Sequence, residues 1–136
     1  MWRQIAGVVA GLFVWMLIGA TGFWLLRELW PAYASVEPDF DFTLAMLFSR
    51  LFVGVACGIG AGIAIRLLVG KRSRVPWVVG AIFLIVWVPF HISIWERFPA
   101  WYHLFFLLTL APLIALGARL VSSIDTYDRA SAHIAN

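Results

Sequence analysis

A few ionisable side chains interrupt an otherwise apolar sequence, and they are the ones whose chemistry needs a reason. Four of them form a candidate polar cluster: Arg50, His91, Glu96 and His103. Arg50 lies seven positions into an apolar stretch, where a charge is costly unless it reaches water or meets a partner. One reading is that Arg50 snorkels outward to the membrane surface. The other is that it turns inward to His91 or to one of the carboxylates Glu96, Glu28 and Asp39.

Metal binding and catalysis have little support in the sequence. Two histidines and a carboxylate are zinc ligands by type, but His91 and Glu96 are five positions apart and project from different helix faces. No Ser-His-Asp order, phosphate-binding glycine loop or cysteine pair is present. Cys57 is the single cysteine and lies among apolar residues, where a thiol is unreactive. We expect no catalytic residue, no metal and no cofactor, and hence no enzyme.

Small residues form the other conspicuous pattern. Gly54, Gly58 and Gly62 recur at a spacing of four, as in a glycine zipper, and Gly7 and Gly11 give a shorter version. Such spacing leaves one helix face without side chains, so that a second backbone can approach closely. The partner is either another helix of the same bundle or a second protein chain, including another copy of this one.

The elements that position these residues follow from composition. Of 136 residues, 63% are hydrophobic and 12% are charged, which excludes an ordinary soluble domain, a disordered chain and a disulfide scaffold. Because a membrane helix needs about 20 apolar residues, the sequence predicts four spans, at about 4–26, 43–66, 75–95 and 102–121. They form one transmembrane domain, 1–121, followed by a polar cytoplasmic tail, 122–136. The first span is expected to be a retained helix, because it is longer than a signal-peptide core.

Lysine and arginine set the expected orientation, because positive charge stays on the cytoplasmic side. One side of the membrane would carry Arg3, Arg66, Lys71, Arg72, Arg74, Arg119 and Arg129. The other would carry only Arg27, Arg50 and Arg97. The fold class is therefore predicted to be an all-α, up-down-up-down bundle of four transmembrane helices with both termini cytoplasmic. Contact with anionic lipid accounts for the basic rim, and we expect no nucleic-acid partner.

A weak internal repeat divides the chain into two halves. Residues 28–33 read ELWPAY and residues 96–101 read ERFPAW, while AIRL at 64–67 matches GARL at 117–120. These similarities are typical of two tandem helical hairpins of the same orientation. The alternative is that any helix leaving a membrane favours an acid, an aromatic residue and a proline at this point.

The stretch 98–107, FPAWYHLFFL, followed by Pro112 and by GARL at 117–120, resembles small four-helix bacterial inner-membrane proteins of unknown function. The resemblance implies a multi-pass protein of the inner membrane and supplies no activity. From the small-residue faces we expect a structural or accessory subunit, or a homo-oligomer, with the lipid bilayer and a membrane protein as partners. The alternative is a small transporter or channel whose outer-side polar cavity lies around Arg50, His91, Glu96 and His103.

Overall fold

The structure, a computed structural model, describes the backbone of residues 1–70 and 73–134 and the side chains of residues 1–70 and 73–121. Its five α-helices are α1 (Trp2–Leu29), α2 (Pro31–Val36), α3 (Leu44–Leu68), α4 (Val75–Ser93) and α5 (Ala100–Ile134). Single 3₁₀ turns follow α2 at Glu37–Asp39 and α4 at Trp95–Arg97. Lys71 and Arg72 of the predicted basic turn, and the side chains of the predicted tail, lie outside the described residues.

Four of these helices are long and apolar enough to cross a membrane: Trp2–Leu29, Leu44–Leu68, Val75–Ser93 and Ala100–Val121. Only 22–33% of the most apolar window of each helix is buried inside the protein. Large apolar side chains such as Phe52, Ile85 and Leu108 therefore point outward, which water would penalise and lipid would not. The prediction of an all-helical fold with four helices long and apolar enough to span a membrane is confirmed for the described residues.

Local sequence explains where these helices begin. The Thr43 hydroxyl accepts a hydrogen bond from the Met46 backbone N–H at 3.4 Å and so caps α3. Pro31 opens α2, and Pro76 lies in the first turn of α4, where a residue without an N–H costs no helical hydrogen bond. Helices α4 and α5 continue through Pro89 and Pro112.

Residue contacts give the helix directions. Gly7 lies beside Val69 and Gly22 lies beside Val53, so α1 and α3 run in opposite directions. Among the described residues, the most extensive helix contact is between α3 and α5. These two helices run in the same direction, as their contacts advance together from Gly54 against Phe106 to Gly62 against Ala118. Helix α4 packs on α5 and more loosely on α1.

The glycines of the predicted zipper face other helices of the same chain. A Cβ added at Gly62 would collide with the Ile114 carbonyl oxygen of α5, and one at Gly58 would lie 2.8 Å from Leu113 Cβ. Gly11 gives room to Ile65 in the same way. Close approach of backbones without a hydrophobic driving force is what small residues provide in membranes. Gly58, Gly62, Gly7 and Gly11 are therefore covered within the bundle.

The two ends of the bundle differ. At one end, here termed the capped end, α1 and α4 end, α3 and α5 begin, and three rings of the connecting segments pack together. Phe42 stacks on Phe98 with ring centroids 5.8 Å apart, and Phe40 meets Phe98 edge-on at 5.7 Å. At the opposite, basic end, Arg3 donates to the Leu68 carbonyl and Arg66 to that of Ala118, which satisfies backbone acceptors near helix ends.

Candidate functional site

Arg50 is the centre of the candidate site. It lies in the second turn of α3, and its side chain is only 17% exposed. Its Nη1 donates to the Tyr33 hydroxyl at 2.5 Å, and its Nε donates to the Tyr102 hydroxyl at 3.3 Å. Both tyrosines are buried. The guanidinium is thus held inside the capped end, between the connecting segment after α1 and the first turn of α5.

A carboxylate from outside the long helices completes this network. Glu37 Oε1 lies 3.7 Å from Arg50 Nη1, and the same carboxylate accepts from Arg27 through Nε at 2.5 Å and Nη2 at 3.0 Å. The Tyr33 hydroxyl donates to Glu37 at 3.5 Å while it accepts from Arg50. Two guanidinium groups therefore share one carboxylate, which leaves one positive charge at the capped end uncompensated within this group.

The protonation of Glu37 and Tyr33 follows from the same contacts. Hydrogen bonds from Arg27 hold the pKa of Glu37 below its usual range, against the opposing effect of partial burial. Burial raises the pKa of the Tyr33 hydroxyl, and the nearby Arg50 charge opposes that rise. Glu37 is therefore an anion and Tyr33 a neutral donor and acceptor at neutral pH.

Aromatic faces cover the rest of the Arg50 guanidinium. Its Cζ lies 4.7 Å from the centroid of the Phe42 ring, 4.9 Å from that of Phe23 and 5.8 Å from that of Phe98. A cation attracted to ring faces loses less on leaving water. These rings come from α1 and from both connecting segments, so the charge joins elements far apart in sequence.

Below Arg50, a cavity of about 120 Å³ lies between the four long helices. Its lining includes four ionisable side chains: Arg50, Cys57, His91 and Tyr102. No Asp or Glu among the described residues lines it. Most of the wall is aromatic: Trp15, Phe23, Trp87, Phe90, Phe98 and Phe106. The cavity lies where bundles of helices usually place a ligand, between facing helices.

One wall residue has an unsatisfied donor. Only 8% of Trp15 is exposed. The centroid of its indole lies 4.6 Å from that of Phe83 and 5.3 Å from that of Trp87. Its Nε1–H is buried and has no hydrogen-bond acceptor among the described residues. Buried polar groups almost always have a partner, so this donor requires an explanation.

His91, which lines the cavity, and His103 behind it form a pair. Their Nδ1 atoms are 2.7 Å apart, and His103 Nε2 lies 3.3 Å from the Trp95 carbonyl oxygen. Because a carbonyl only accepts, His103 carries its proton on Nε2 and accepts from His91 Nδ1–H when both rings are neutral. The pair is a hydrogen-bonded unit and does not present two free nitrogens to a metal. The described residues contain no group of three metal-ligating side chains.

The structure places the four residues of the predicted cluster differently. Arg50 and His91 line the same cavity, and His103 is fully buried directly behind His91. Glu96 is exposed in the 3₁₀ turn after α4 and does not line the cavity. Glu37 is instead the carboxylate near Arg50.

Sequence reasoning missed Tyr33, Glu37 and Tyr102 as partners of Arg50. A local signal for two of them exists, because Tyr33 and Glu37 are four positions apart, which puts them on one face of a helical turn. Nothing local connects them with Arg50. Only the folding of the segment after α1 back over α3 brings them together.

A second depression differs in chemistry and position. It is a groove of about 810 Å³ on the outer surface between α1, α3 and α5, on the same half as the capped end. Its walls are almost wholly apolar, and its larger side chains include Leu25, Phe48, Phe52 and Trp101. Gly22, Ser49 and Ala56 are the small residues along it.

Comparisons with known proteins add no assignment. No protein-family model, no curated protein and no solved structure matches this chain.

Proposed function

We propose that this protein is a non-enzymatic, multi-pass membrane protein that takes a small anionic solute into its central cavity and acts as a small transporter. The observation that carries the proposal is the position of Arg50, a permanent charge within a membrane helix, on the wall of a cavity bounded by all four long helices. An ionisable residue at such a position is costly and is typically retained for function.

Charge favours an anion over a cation or a neutral solute. Arg27 and Arg50 share the carboxylate of Glu37, so these three side chains together carry one net positive charge, and Arg50 is the one that lines the cavity. A bound anion offsets that charge, whereas a cation adds to it. The donors Arg50 and Tyr102 on the cavity wall suit the same kind of ligand.

The proposal includes an orientation. The bundle crosses the inner membrane up-down-up-down, with both termini and the basic end in the cytoplasm and the capped end outside. The solute then approaches from the outer side, past Phe40, Phe42 and Phe98. A small epitope inserted after Lys71 tests this directly. It should be labelled in permeabilised cells only, and labelling of intact cells would contradict the orientation.

Transport is tested with purified protein in lipid vesicles. A potential set with valinomycin drives uptake of radiolabelled chloride, acetate or phosphate, and vesicles without protein give the background. We expect at least one of these anions to be taken up, with the uptake lost in Arg50→Leu and partly retained in Arg50→Lys, which keeps the charge.

The matched control is Arg97→Leu. It removes a positive charge at the same end from an exposed side chain that does not line the cavity, and it should transport like the unmodified protein. Uptake at background level for all three anions, or uptake indifferent to Arg50, would contradict the transport function.

A second candidate, an accessory subunit, is favoured by the groove between α1, α3 and α5. Because the glycines named above are covered within the chain, a partner helix would have to pack in this groove rather than on the zipper face. A photocrosslinker at Phe52, which is 73% exposed and lines the groove, would then trap a membrane protein in native membranes. One at Val9, 59% exposed on α1 outside the groove, is the control. A strictly monomeric, uncrosslinked protein would reject both the accessory and the homo-oligomeric roles.

A further inference from the structure

The central cavity is lined by two residues that carry hydrogen-bond donors, Arg50 and Trp15, and most of its other walls are aromatic. Arg50 lies at one end, with its guanidinium carbon 4.9 Å from the Phe23 ring centroid. Trp15, whose Nε1–H has no acceptor among the described residues, lies on the same helix as Phe23, eight positions earlier. At 1.5 Å per residue, Trp15 and Phe23 lie about 12 Å apart along the helix axis, and we take this value as the separation of the two donors.

This separation limits the length of the ligand. A hydrogen bond of about 2.9 Å at each donor leaves about 6 Å between the two acceptor atoms of one molecule. An extended chain advances roughly 1.2 Å per bond, so the acceptors are about five bonds apart. The cavity volume of about 120 Å³ is somewhat below the roughly 150 Å³ of a cavity that binds benzene, a ring of six non-hydrogen atoms. A monocarboxylate with acceptors five bonds apart needs about seven such atoms, so the ligand must be close to this minimum and the cavity walls must move slightly apart to admit it.

The two ends differ in charge. The end at Arg50 carries a permanent positive charge, of which Glu37 compensates only part because it also binds Arg27. At the Trp15 end, the indole packs against Phe83 and Trp87, which carry no charge. A carboxylate fits the first end, since guanidinium–carboxylate hydrogen bonds are charge-assisted. A neutral acceptor fits the second, since a second anionic group there would be buried without compensation.

We propose that the cavity binds a short monocarboxylate with a neutral carbonyl or hydroxyl acceptor at its other end, its carboxylate at Arg50 and its neutral acceptor at the Trp15 indole N–H. This inference rests on the proposed function for the use of the site, and it adds the ligand class. The short chain between the two groups lies against the aromatic walls.

The probe is levulinate, 4-oxopentanoate, in which a ketone oxygen lies five bonds from a carboxylate oxygen. Two matched compounds each lack one group: pentanoate has no ketone and 2-pentanone has no carboxylate. Dissociation constants are measured in lipid nanodiscs from the shifts of the ¹⁵N-labelled indole resonances of Trp15 and Trp87. We expect levulinate to shift the Trp15 resonance saturably and to bind about tenfold more tightly than either compound.

Protein variants make the assignment residue by residue. In Trp15→Phe, levulinate should no longer bind more tightly than pentanoate, and the dissociation constant of pentanoate, measured from the Trp87 resonance, should stay within about twofold of its value in the unmodified protein. Trp87→Phe enlarges the same cavity but keeps the Trp15 donor, so the levulinate advantage, read from Trp15, should persist. Arg50→Lys, which keeps the charge and spares the fold, should weaken both acids by a similar factor, because a lysine loses the planar fork of donors.

Several results would overturn the inference. These are the absence of a saturable shift with levulinate, equal affinity for levulinate and pentanoate, and an undiminished levulinate advantage in Trp15→Phe. A cavity that holds water alone gives the first of these. Levulinate binding without anion uptake by vesicles would keep this ligand assignment and reject transport. Arg50-dependent anion uptake without levulinate binding would do the reverse.

Discussion

Replacing Glu37 with glutamine tests the ionic network at the capped end with the smallest change of shape. At 3.7 Å and an effective dielectric constant of about 20, the Glu37–Arg50 attraction is about 4.5 kcal/mol before desolvation. Desolvation cancels much of it, and Arg50 keeps Tyr33 and Tyr102, so about 1.5 kcal/mol remains. Arg27 is 48% exposed, and its pair with Glu37 adds about 0.5 kcal/mol. We expect Glu37→Gln to lower the free energy of unfolding by about 2 kcal/mol.

The assay is reversible unfolding of the purified protein by SDS in mixed micelles, followed by tryptophan fluorescence. Glu96→Gln is the matched control, because it makes the same chemical change at the same end on an exposed side chain, and it should stay within about 0.5 kcal/mol of the unmodified protein. A double-mutant cycle with Arg50→Gln should give a coupling of about 1–2 kcal/mol. Equal stability of Glu37→Gln and Glu96→Gln, or a coupling near zero, would refute the reasoning.

Three further predictions use the same unfolding assay. Tyr33→Phe removes the hydroxyl between Arg50 and Glu37 and should cost about 1 kcal/mol; no loss would mean that this bridge contributes nothing. The folded-state pKa of Glu37 is lowered, so its stabilisation is complete above the ordinary value of about 4.3 and is lost as the pH falls through the lowered pKa. A Glu37→Gln protein that loses as much stability as the unmodified one in that range would contradict this. Gly62→Ala forces α3 away from the α5 backbone and should cost about 2–3 kcal/mol, whereas Gly70→Ala, with open space around it, should change little; equal effects would argue against close α3–α5 packing.

The placement of the glycines shows where sequence reasoning stopped. The spacing of Gly54, Gly58 and Gly62 indicates a helix face that a second backbone can approach, but the period of a helix does not say which backbone. In the folded chain the answer is α5, where Gly117 in turn gives room to the Ile59 backbone. Residues 59 and 117 are far apart in sequence, and only the packing of the two helices makes them a pair.

The polar site, too, could be predicted from the sequence only in part. Arg50 stands out in the sequence because a charge in an apolar stretch is costly wherever it lies, and His91 could be placed near it from its position at the end of a helix. The partner carboxylate could not be chosen, since Glu28, Glu37, Asp39 and Glu96 are all acids of connecting segments or helix ends. The 3₁₀ turn that carries Glu37 decides among them.

The sequence by itself determined that four helices form and that they are long and apolar enough to cross a membrane. Runs of apolar residues long enough to span a bilayer must satisfy their backbone hydrogen bonds internally, and a helix does so without reference to the rest of the chain. Only the tertiary structure decided which carboxylate meets Arg50, which helices cover the glycines and that a cavity remains between them. These outcomes depend on contacts between residues distant in sequence, whose geometry is fixed when the helices pack and not before.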